Sequence, residues 1–383
     1  MKRFLATGSL VLASLAIAVA LCEIVLRWLG FSAPIWYQPD AQLGWTLRPG
    51  IHAMFTREGH ALVEVNADGR RDVGVALAKP ADVYRIAVLG DSYSEAMQVE
   101  RDQAFWAQLA PPLQACGFTR GKRVEVLNFG VSGYGTAQQY LALESRAGSY
   151  RPDLVILQFT NGNDVRDNSK ALDDNPSRPF FIAAGDGTLK LDGSFVSGPD
   201  YRKLNSWSHE TFRELSDRLH VLQLARAAKN ISFVSKAQAD GVEQGLEPLV
   251  LAPPQDANWE NAWRLTETLI AKIDESARRH GARFLVFTVP YAIQVHPDRA
   301  VREALQAKLG VPDLFYPDRR IAEFARRAHI DAVTLAPLMQ PAAERRHTYF
   351  HGFPATGMGR GHWNAEGHRA AAELIARHLC EQR

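Results

Sequence analysis

The residues of this sequence best suited to chemistry are a serine and a histidine far apart along the chain. Ser92 follows a glycine and an aspartate directly after an apolar run, and His362 lies near the C-terminus. A serine between a strand and a helix can present its hydroxyl to a substrate, next to backbone N–H groups that can stabilise an oxyanion. Histidine is the base that such a serine needs. Each residue alone has an ordinary explanation, since Asp91 or Ser92 could simply cap a helix.

Two loops between these residues could supply hydrogen-bond donors. The glycine-rich loop 130–135, which contains Gly133, follows a second apolar run, and glycine permits a close approach of the backbone to a ligand. The loop lacks the Lys-Ser/Thr pair of a phosphate-binding loop and the glycine spacing of a dinucleotide fingerprint. Asn163 follows a third apolar run and could donate its side-chain amide, although an Asx turn would also explain it.

The surrounding sequence predicts strands that alternate with helices. Apolar runs typical of buried parallel strands occupy residues 86–89, 124–129, 154–159, 284–289 and 331–335. Helical segments are predicted over residues 100–115, 136–147, 259–279, 317–328 and 365–379. This alternation predicts an α/β fold with a parallel sheet between two layers of helices. Ligands bind beyond the carboxyl ends of the strands in such folds, so we expect the serine, the glycine loop and the asparagine to meet there.

Together these segments resemble the conserved blocks of the SGNH/GDSL hydrolases. The blocks are Ser92 in Gly-Asp-Ser, Gly133, Asn163 in Gly-x-Asn-Asp, and His362 near the C-terminus, within residues 84–165 and 281–380. The resemblance implies a three-layer α/β/α sandwich with a five-stranded parallel sheet, and no organic cofactor. It also implies that Ser92 is the nucleophile and His362 the general base. The oxyanion hole would consist of the backbone N–H groups of Ser92 and Gly133 and the amide of Asn163.

One position departs from the pattern of that family. An aspartate three residues before the catalytic histidine normally orients the imidazole, but Gly359 stands there in this chain. We expect a Ser–His dyad in which a backbone carbonyl orients His362, because loss of the third member leaves activity above background. The alternatives are a triad completed by a distant carboxylate, either Glu95 or Asp164, and an inactive protein that binds a ligand.

A zinc site is a weaker interpretation of the histidines. His347 and His351 are four residues apart, a spacing that can place two metal ligands on one helix face. Glycine and proline interrupt that segment, and no cysteine or carboxylate completes a ligand set. We therefore expect no metal.

The N-terminus predicts a membrane anchor over residues 1–31. Lys2 and Arg3 precede an apolar run that reaches Cys22, about the length that a bilayer core requires. A cleaved signal peptide is the alternative, with Ala18–Ala20 as its cleavage site, but apolar residues continue beyond that site. The two basic residues favour a cytoplasmic N-terminus, so we expect a single-pass inner-membrane protein with a periplasmic catalytic domain.

The rest of the chain divides into a lead-in and a hydrolase domain. A turn-rich lead-in is predicted at 32–80, and the domain at 81–383 contains an insertion at about 166–255. We expect that insertion, with a hairpin near residues 180–191 and helices over 208–235, to cap the strand ends. The formal net charge is only +2, which gives no reason to expect a nucleic-acid partner.

Two cysteines lie in the part of the chain that we expect to be exported. In an oxidising compartment Cys116 and Cys380 could form a disulfide, or they could remain buried thiols. In the winding order of the family fold, the helices that these residues end lie on the same face of the sheet, which predicts the disulfide.

These features predict an ester hydrolase of the cell envelope. The expected substrate is an acylated polysaccharide that loses an O-acetyl group, with a lipid or a small ester as alternatives. The same acyl-enzyme could pass its acyl group to a sugar, which would make the protein an O-acyltransferase, and a membrane acyltransferase is a candidate partner. A non-catalytic envelope-binding or assembly protein on the same fold is the alternative from another functional class.

Overall fold

A computed structural model describes residues 2–183, 188–239 and 248–382. It begins with helix α1 (Lys2–Trp28). The segment Thr7–Trp28 has a mean hydropathy of 2.5 and is the one stretch in these described ranges long and apolar enough to cross a membrane. A signal sequence would share these properties.

The lead-in forms two antiparallel hairpins. Strand β1 (Tyr37–Asp40) pairs with β2 (Gly44–Leu47), and β3 (His52–Phe55) pairs with β4 (Ala61–Glu64). Apolar side chains of the lead-in pack with a residue of the domain in one cluster: Trp36, Leu47, Ala53, Phe55, Val63, Val65 and Met97. The lead-in is thus attached to the domain by a small core of its own.

The first half of the domain holds three parallel strands. Its elements are β5 (Val83–Leu89), α2 (Ser92–Glu95), α3 (Ala110–Ala115), β6 (Arg123–Asn128), α4 (Thr136–Ser145), β7 (Leu154–Thr160) and α5 (Asp164–Asp167). The long helix predicted over residues 100–115 is wrong, because only a 3₁₀ turn at Arg101–Gln103 and the short α3 are helical. Pro111 and Pro112 are tolerated in the first turn of α3. In the interior of a longer helix that began near residue 100 they would break it.

The insertion packs beside the lead-in. It contains β8 (Phe180–Ala183), β9 (Leu189–Asp192), α6 (Pro199–Leu204), α7 (Trp207–Arg218) and α8 (His220–Ala239). Strands β8 and β9 pair antiparallel, as predicted, whereas the turn predicted at residues 185–187 lies outside the described residues. The Arg178 guanidinium lies 5.5 Å from the ring centroid of Trp45, and Arg48 forms an ion pair with Asp217.

The second half of the domain completes the sheet and carries the histidine. Its elements are α9 (Ala257–Arg279), β10 (Arg283–Val289), α10 (Arg299–Leu309), α11 (Tyr316–Ala328), β11 (Asp331–Thr334), α12 (Ala336–Arg346), β12 (His351–Phe353), β13 (Gly357–Trp363) and α13 (Ala365–Glu381). The sequence did not predict α10, α12 or the antiparallel β12–β13 hairpin.

Five strands of the domain form one parallel sheet, in the order β11-β10-β7-β5-β6. Successive residues of a strand face opposite sides, so Ile86 and Val88 belong to one core and Ala87 and Leu89 to the other. Helices α3, α12 and α13 contribute to the first core, whereas α4, α9 and α11 contribute to the second. The predicted three-layer α/β/α sandwich is confirmed.

A disulfide joins the ends of two helices on the same face of the sheet. Cys116 at the end of α3 is bonded to Cys380 in the last turn of α13, with their Cα atoms 6.0 Å apart. The predicted pairing is confirmed, and Cys22 is a free thiol.

Candidate active site

Ser92 and His362 are in direct contact. The Oγ atom of Ser92, the first residue of α2, lies 2.8 Å from Nε2 of His362 on strand β13. The preceding Asp91 caps α2 by accepting a hydrogen bond from the backbone N–H of Tyr93 at 2.9 Å. Ser92 is partly exposed, and so is the imidazole, whose side chain is 30% accessible. The pair can therefore meet a substrate at the carboxyl end of β5.

Buried amides from the neighbouring strands hold the turn that carries Ser92. The Gln158 side-chain oxygen accepts hydrogen bonds from the Asp91 backbone N–H at 3.0 Å and from the Ser94 hydroxyl at 2.9 Å. The Asn128 amide donates to the Ser94 carbonyl at 2.8 Å. Since Gln158 and Asn128 come from β7 and β6, the position of Ser92 is set by the two strands that flank β5 in the sheet.

The carboxylate that faces His362 belongs to Glu58. Its Oε2 atom lies 2.5 Å from Nδ1 of the imidazole, and its Oε1 atom accepts the backbone N–H of His362 at 2.7 Å. Glu58 stands in the turn between β3 and β4, within the lead-in. The expected dyad, with a backbone carbonyl beside His362, is therefore wrong in this structure.

The two carboxylates proposed from the sequence as a third member lie elsewhere. Glu95 accepts hydrogen bonds from the Tyr37 hydroxyl at 2.9 Å and from the backbone N–H of Ser132. Asp164 accepts the backbone N–H of Thr160 at 2.6 Å. Both carboxyls are buried, and these hydrogen bonds are to groups other than the imidazole of His362.

The backbone of β13 explains why no aspartate precedes His362 at the usual position. Gly359 has a φ of +80°, and a Cβ there would lie 2.8 Å from Cδ2 of His296. Gly361 has a φ of +74°, and a Cβ there would lie only 2.0 Å from Oε1 of Glu58. Both positions need glycine, the second because Glu58 occupies the space.

Glu58 and His362 each stabilise the charged form of the other. Burial alone would lower the pKa of His362, but the hydrogen bond and the charge of Glu58 raise it above its ordinary value. Burial alone would raise the pKa of Glu58, but the hydrogen bond and the charge of His362 lower it. The pair therefore stabilises the protonated, charged form of the imidazole.

The predicted oxyanion donors follow three adjacent strands. Gly133 adopts a φ of +78°, and both backbone polar groups of the preceding residue, Ser132, are hydrogen-bonded. The Ser132 carbonyl accepts a hydrogen bond from Nε1 of Trp45 at 2.9 Å, while its N–H donates to Glu95. The Asn163 amide lies 3.4 Å from Oδ2 of Asp91, the residue before Ser92.

The histidines considered as zinc ligands do not share a helix. Helix α12 ends at Arg346, and His351 belongs to strand β12. His351 is buried against Trp363, and burial lowers its pKa to about 3, so it is neutral. Among the residues whose positions are described, no three histidines, cysteines or carboxylates are grouped so as to hold a metal ion.

Sequence reasoning missed Glu58 and the contributions of Tyr37 and Trp45. The signal for Glu58 is weak, since it consists of an acidic residue beside Gly59 in a turn between two short alternating segments. Gly59 is required there because a Cβ would lie 1.9 Å from the Gln98 carbonyl oxygen. This close approach places the hairpin turn against the segment that follows Ser92.

No family model matches the sequence, and no curated protein matches it. Among solved structures, the acetyl xylan esterase AlAXEase is 14% identical, with a TM-score of 0.38, over 76% of this chain and 97% of its own. A catalytic mutant of an acetylxylan esterase from Geobacillus stearothermophilus is 12% identical, with a TM-score of 0.39, over 77% and 94%. A G-D-S-L family lipolytic protein from Desulfitobacterium hafniense is 11% identical, with a TM-score of 0.36, over 77% and 98%.

Proposed function

We propose that this chain is a serine ester hydrolase of the SGNH/GDSL type, with Ser92, His362 and Glu58 as its catalytic triad. The observation that carries the proposal is the continuous chain of hydrogen bonds from Ser92 Oγ through His362 to Glu58. A buried structural histidine would not need a serine hydroxyl on one nitrogen and a carboxylate on the other at a partly exposed strand end.

The reaction follows from this arrangement. The Ser92 hydroxyl attacks the acyl carbon of an ester while its proton moves to Nε2 of His362. The oxyanion accepts hydrogen bonds from the backbone N–H groups of Ser92 and Gly133 and from the Asn163 amide. The intermediate collapses to an acyl-enzyme, and the alcohol leaves with the proton from His362. Water, deprotonated by His362, then attacks the acyl carbon; the bond to Ser92 Oγ breaks, the acid leaves, and His362 returns the proton to Ser92.

The proposed substrate is an O-acetyl ester on a polysaccharide of the cell envelope. Helix α1 supports a location at a membrane, where its exposed apolar surface would be covered by lipid. The partial exposure of both Ser92 and the imidazole supports access for an ester carried on a long polymer.

An active-site probe tests the enzyme class. We expect a fluorophosphonate to label the full-length protein and the Ser92→Ala variant to lose all labelling. Ser145→Ala is the matched control, since that exposed hydroxyl bonds only locally to the Leu141 carbonyl, at 2.7 Å. A folded wild-type protein that neither labels nor cleaves acetyl esters would instead indicate the non-catalytic envelope protein.

A substrate panel tests the acyl group and the acceptor. We expect p-nitrophenyl acetate to be cleaved with a higher kcat/KM than the butyrate, octanoate and dodecanoate esters. A preference for the long chains would reject the acetyl assignment in favour of a lipid. If added oligosaccharides accept the acetyl group in preference to water, the protein is an O-acyltransferase. The mass of the sugar products would show this transfer.

A further inference from the structure

The C-terminal end of α1 is packed against the insertion. The Glu23 carboxylate accepts the backbone N–H of Val221 at 3.0 Å and lies 3.0 Å from Nδ1 of His220, both at the beginning of α8. The Arg27 guanidinium donates to the Arg218 carbonyl at 2.5 Å. The last turn of α7 and the first turn of α8 therefore lie at the level of Glu23 and Arg27.

Helix α7 exposes apolar side chains along one side. Four of them form what we call the apolar stripe, with accessible fractions of 79, 41, 44 and 40%: Trp207, Phe212, Leu215 and Leu219, which follows the last turn. At about 100° per residue these four positions lie within an arc of about 140°, as on an amphipathic helix. Ser216, the buried residue of α7, lies about 40° beyond Phe212 at the edge of this arc, whereas the four residues of the stripe are themselves exposed.

We infer that the apolar stripe lies in the outer interface of the bilayer that α1 crosses, which gives the protein a second membrane contact. This inference rests on the proposed membrane anchor. Within the apolar segment Thr7–Trp28 of α1 the charged residues are Glu23 and Arg27, both in its last two turns, so these turns mark the edge of the hydrocarbon core. The contacts of Glu23 and Arg27 with residues 218–221 then fix the end of the stripe at the headgroup level.

The composition around the stripe fits a lipid interface better than a protein partner. Trp207 and Trp28 are the most exposed of the large apolar side chains described, at 79 and 84%, and tryptophan prefers the membrane interface. Arg218, Arg202 and Lys203 are exposed nearby along the chain and could meet anionic headgroups.

The second contact would orient the active site. The Nη1 atom of Arg48 in the lead-in donates to the Asp217 carboxylate of α7 at 3.1 Å. The same lead-in carries Glu58 and Trp45 into the site. A bilayer contact through α7 would therefore hold the catalytic domain against the membrane surface, where esters close to the bilayer would be cleaved in preference to distant ones.

Spin labelling of the full-length protein in nanodiscs that contain anionic lipid tests the inference. Each label is attached to a single new cysteine in a Cys22→Ser background, with the Cys116–Cys380 disulfide left oxidised. The test positions are Phe212→Cys and Leu215→Cys, and Glu210→Cys is the matched control because it is exposed on another side of α7. We expect the ratio of oxygen to nickel-chelate accessibility at the test positions to exceed the ratio at Glu210 several-fold.

A label at Leu15→Cys in α1 separates the two proposals. If the Leu15 label lies in lipid but the labels at 212 and 215 are as accessible to the nickel chelate as the label at 210, the inference is overturned and the anchor stands. If the labels at 212 and 215 are shielded from both reagents, the stripe is covered by protein and the bilayer is the wrong occupant. If the Leu15 label itself lies in water, α1 is not a membrane anchor, and the inferred second membrane contact is rejected together with it.

Discussion

Glu58 and His362 are joined by two hydrogen bonds although 304 residues separate them in the sequence. One carboxylate oxygen meets the imidazole Nδ1 and the other meets the backbone N–H of the same residue. The backbone contact fixes the carboxylate relative to the strand, and the side-chain contact fixes the imidazole relative to the carboxylate. The segment between helix α1 and the domain is therefore part of the proposed catalytic machinery.

The Glu58→Gln variant should lose most activity and change its pH profile. We expect kcat to fall by about 10²- to 10⁴-fold, because the amide no longer stabilises the imidazolium. His362 accepts a proton only when neutral, so wild-type activity rises with pH through a pKa that Glu58 holds above the ordinary value. Without that carboxylate the pKa of His362 falls, and the acid limb of kcat/KM against pH should move to lower pH.

The control for this experiment is Glu64→Gln on the same hairpin. Glu64 is 68% exposed and lies 3.3 Å from the imidazole of His52, so its loss should leave kcat and the pH profile unchanged. An unshifted acid limb in a folded Glu58→Gln protein would contradict the role of Glu58 as the partner of His362.

Gly361→Ala should remove activity by displacing Glu58, although it replaces no proposed catalytic side chain. The new Cβ would lie only 2.0 Å from Oε1 of Glu58, which is too close for two non-bonded atoms. The carboxylate would therefore have to move away from the imidazole. We expect kcat to fall as far as in Glu58→Gln, with the same shift of the acid limb. Steady-state kinetics across pH measures both effects.

Gly50→Ala separates this effect from backbone strain. Gly50 has nearly the same φ, +75° against +74°, but a Cβ there would meet nothing within 4 Å. Both variants should lose about 1 kcal/mol of stability from the left-handed conformation, whereas only Gly361→Ala should lose activity. Equal activities for the two variants would show that the Glu58 contact does not limit catalysis.

The positions after the strands could be predicted because local sequence determines them. Buried parallel strands appear as short apolar runs, and the residues that follow must meet at one edge of the sheet. This places Ser92, Gly133 and Asn163 without knowledge of tertiary contacts. The disulfide was predicted instead from the winding order of the family fold that the sequence resembles, which puts α3 and α13 on one face.

The third carboxylate could not be predicted because its position depends on how the lead-in docks. Glu58 reaches His362 only when the β3–β4 turn lies against the Gln98 carbonyl and the apolar cluster around Met97 forms. Neither contact leaves a periodic pattern in the sequence. The residues near His362 and those next to the strand ends therefore do not include the carboxylate that meets the imidazole.

The Cys116–Cys380 disulfide should stabilise the domain without entering the chemistry. It closes a loop of 264 residues, and removal of a native disulfide typically costs about 2–5 kcal/mol. We expect the double variant Cys116→Ser, Cys380→Ser to have a free energy of unfolding lower by that amount in urea titrations. Its kcat should equal that of the wild type at urea concentrations below the unfolding transition. Cys22→Ser, which removes the free thiol, is the control, and equal stability of the two proteins would show that the disulfide contributes nothing.

Trp45→Phe should weaken the proposed oxyanion hole without altering the triad. The phenyl ring can occupy most of the indole's place, but it cannot donate the hydrogen bond that holds the Ser132 carbonyl at 2.9 Å. The N–H of Gly133, the next residue, would then be less well aimed at the oxyanion. Removal of one oxyanion donor typically costs 10²- to 10³-fold in kcat, so a misplaced donor should cost less, about 10-fold, with KM nearly unchanged.

Trp36→Phe is the matched control, because Trp36 is a buried tryptophan of the same lead-in that packs against Phe55. If loosening of the lead-in were the cause of lost activity, both variants would lose kcat together and Glu58 would be displaced in both. A selective loss in Trp45→Phe with an unshifted acid limb would instead separate the oxyanion hole from the triad. Equal kcat values for Trp45→Phe and wild type would contradict a role for the Trp45–Ser132 bond in positioning Gly133.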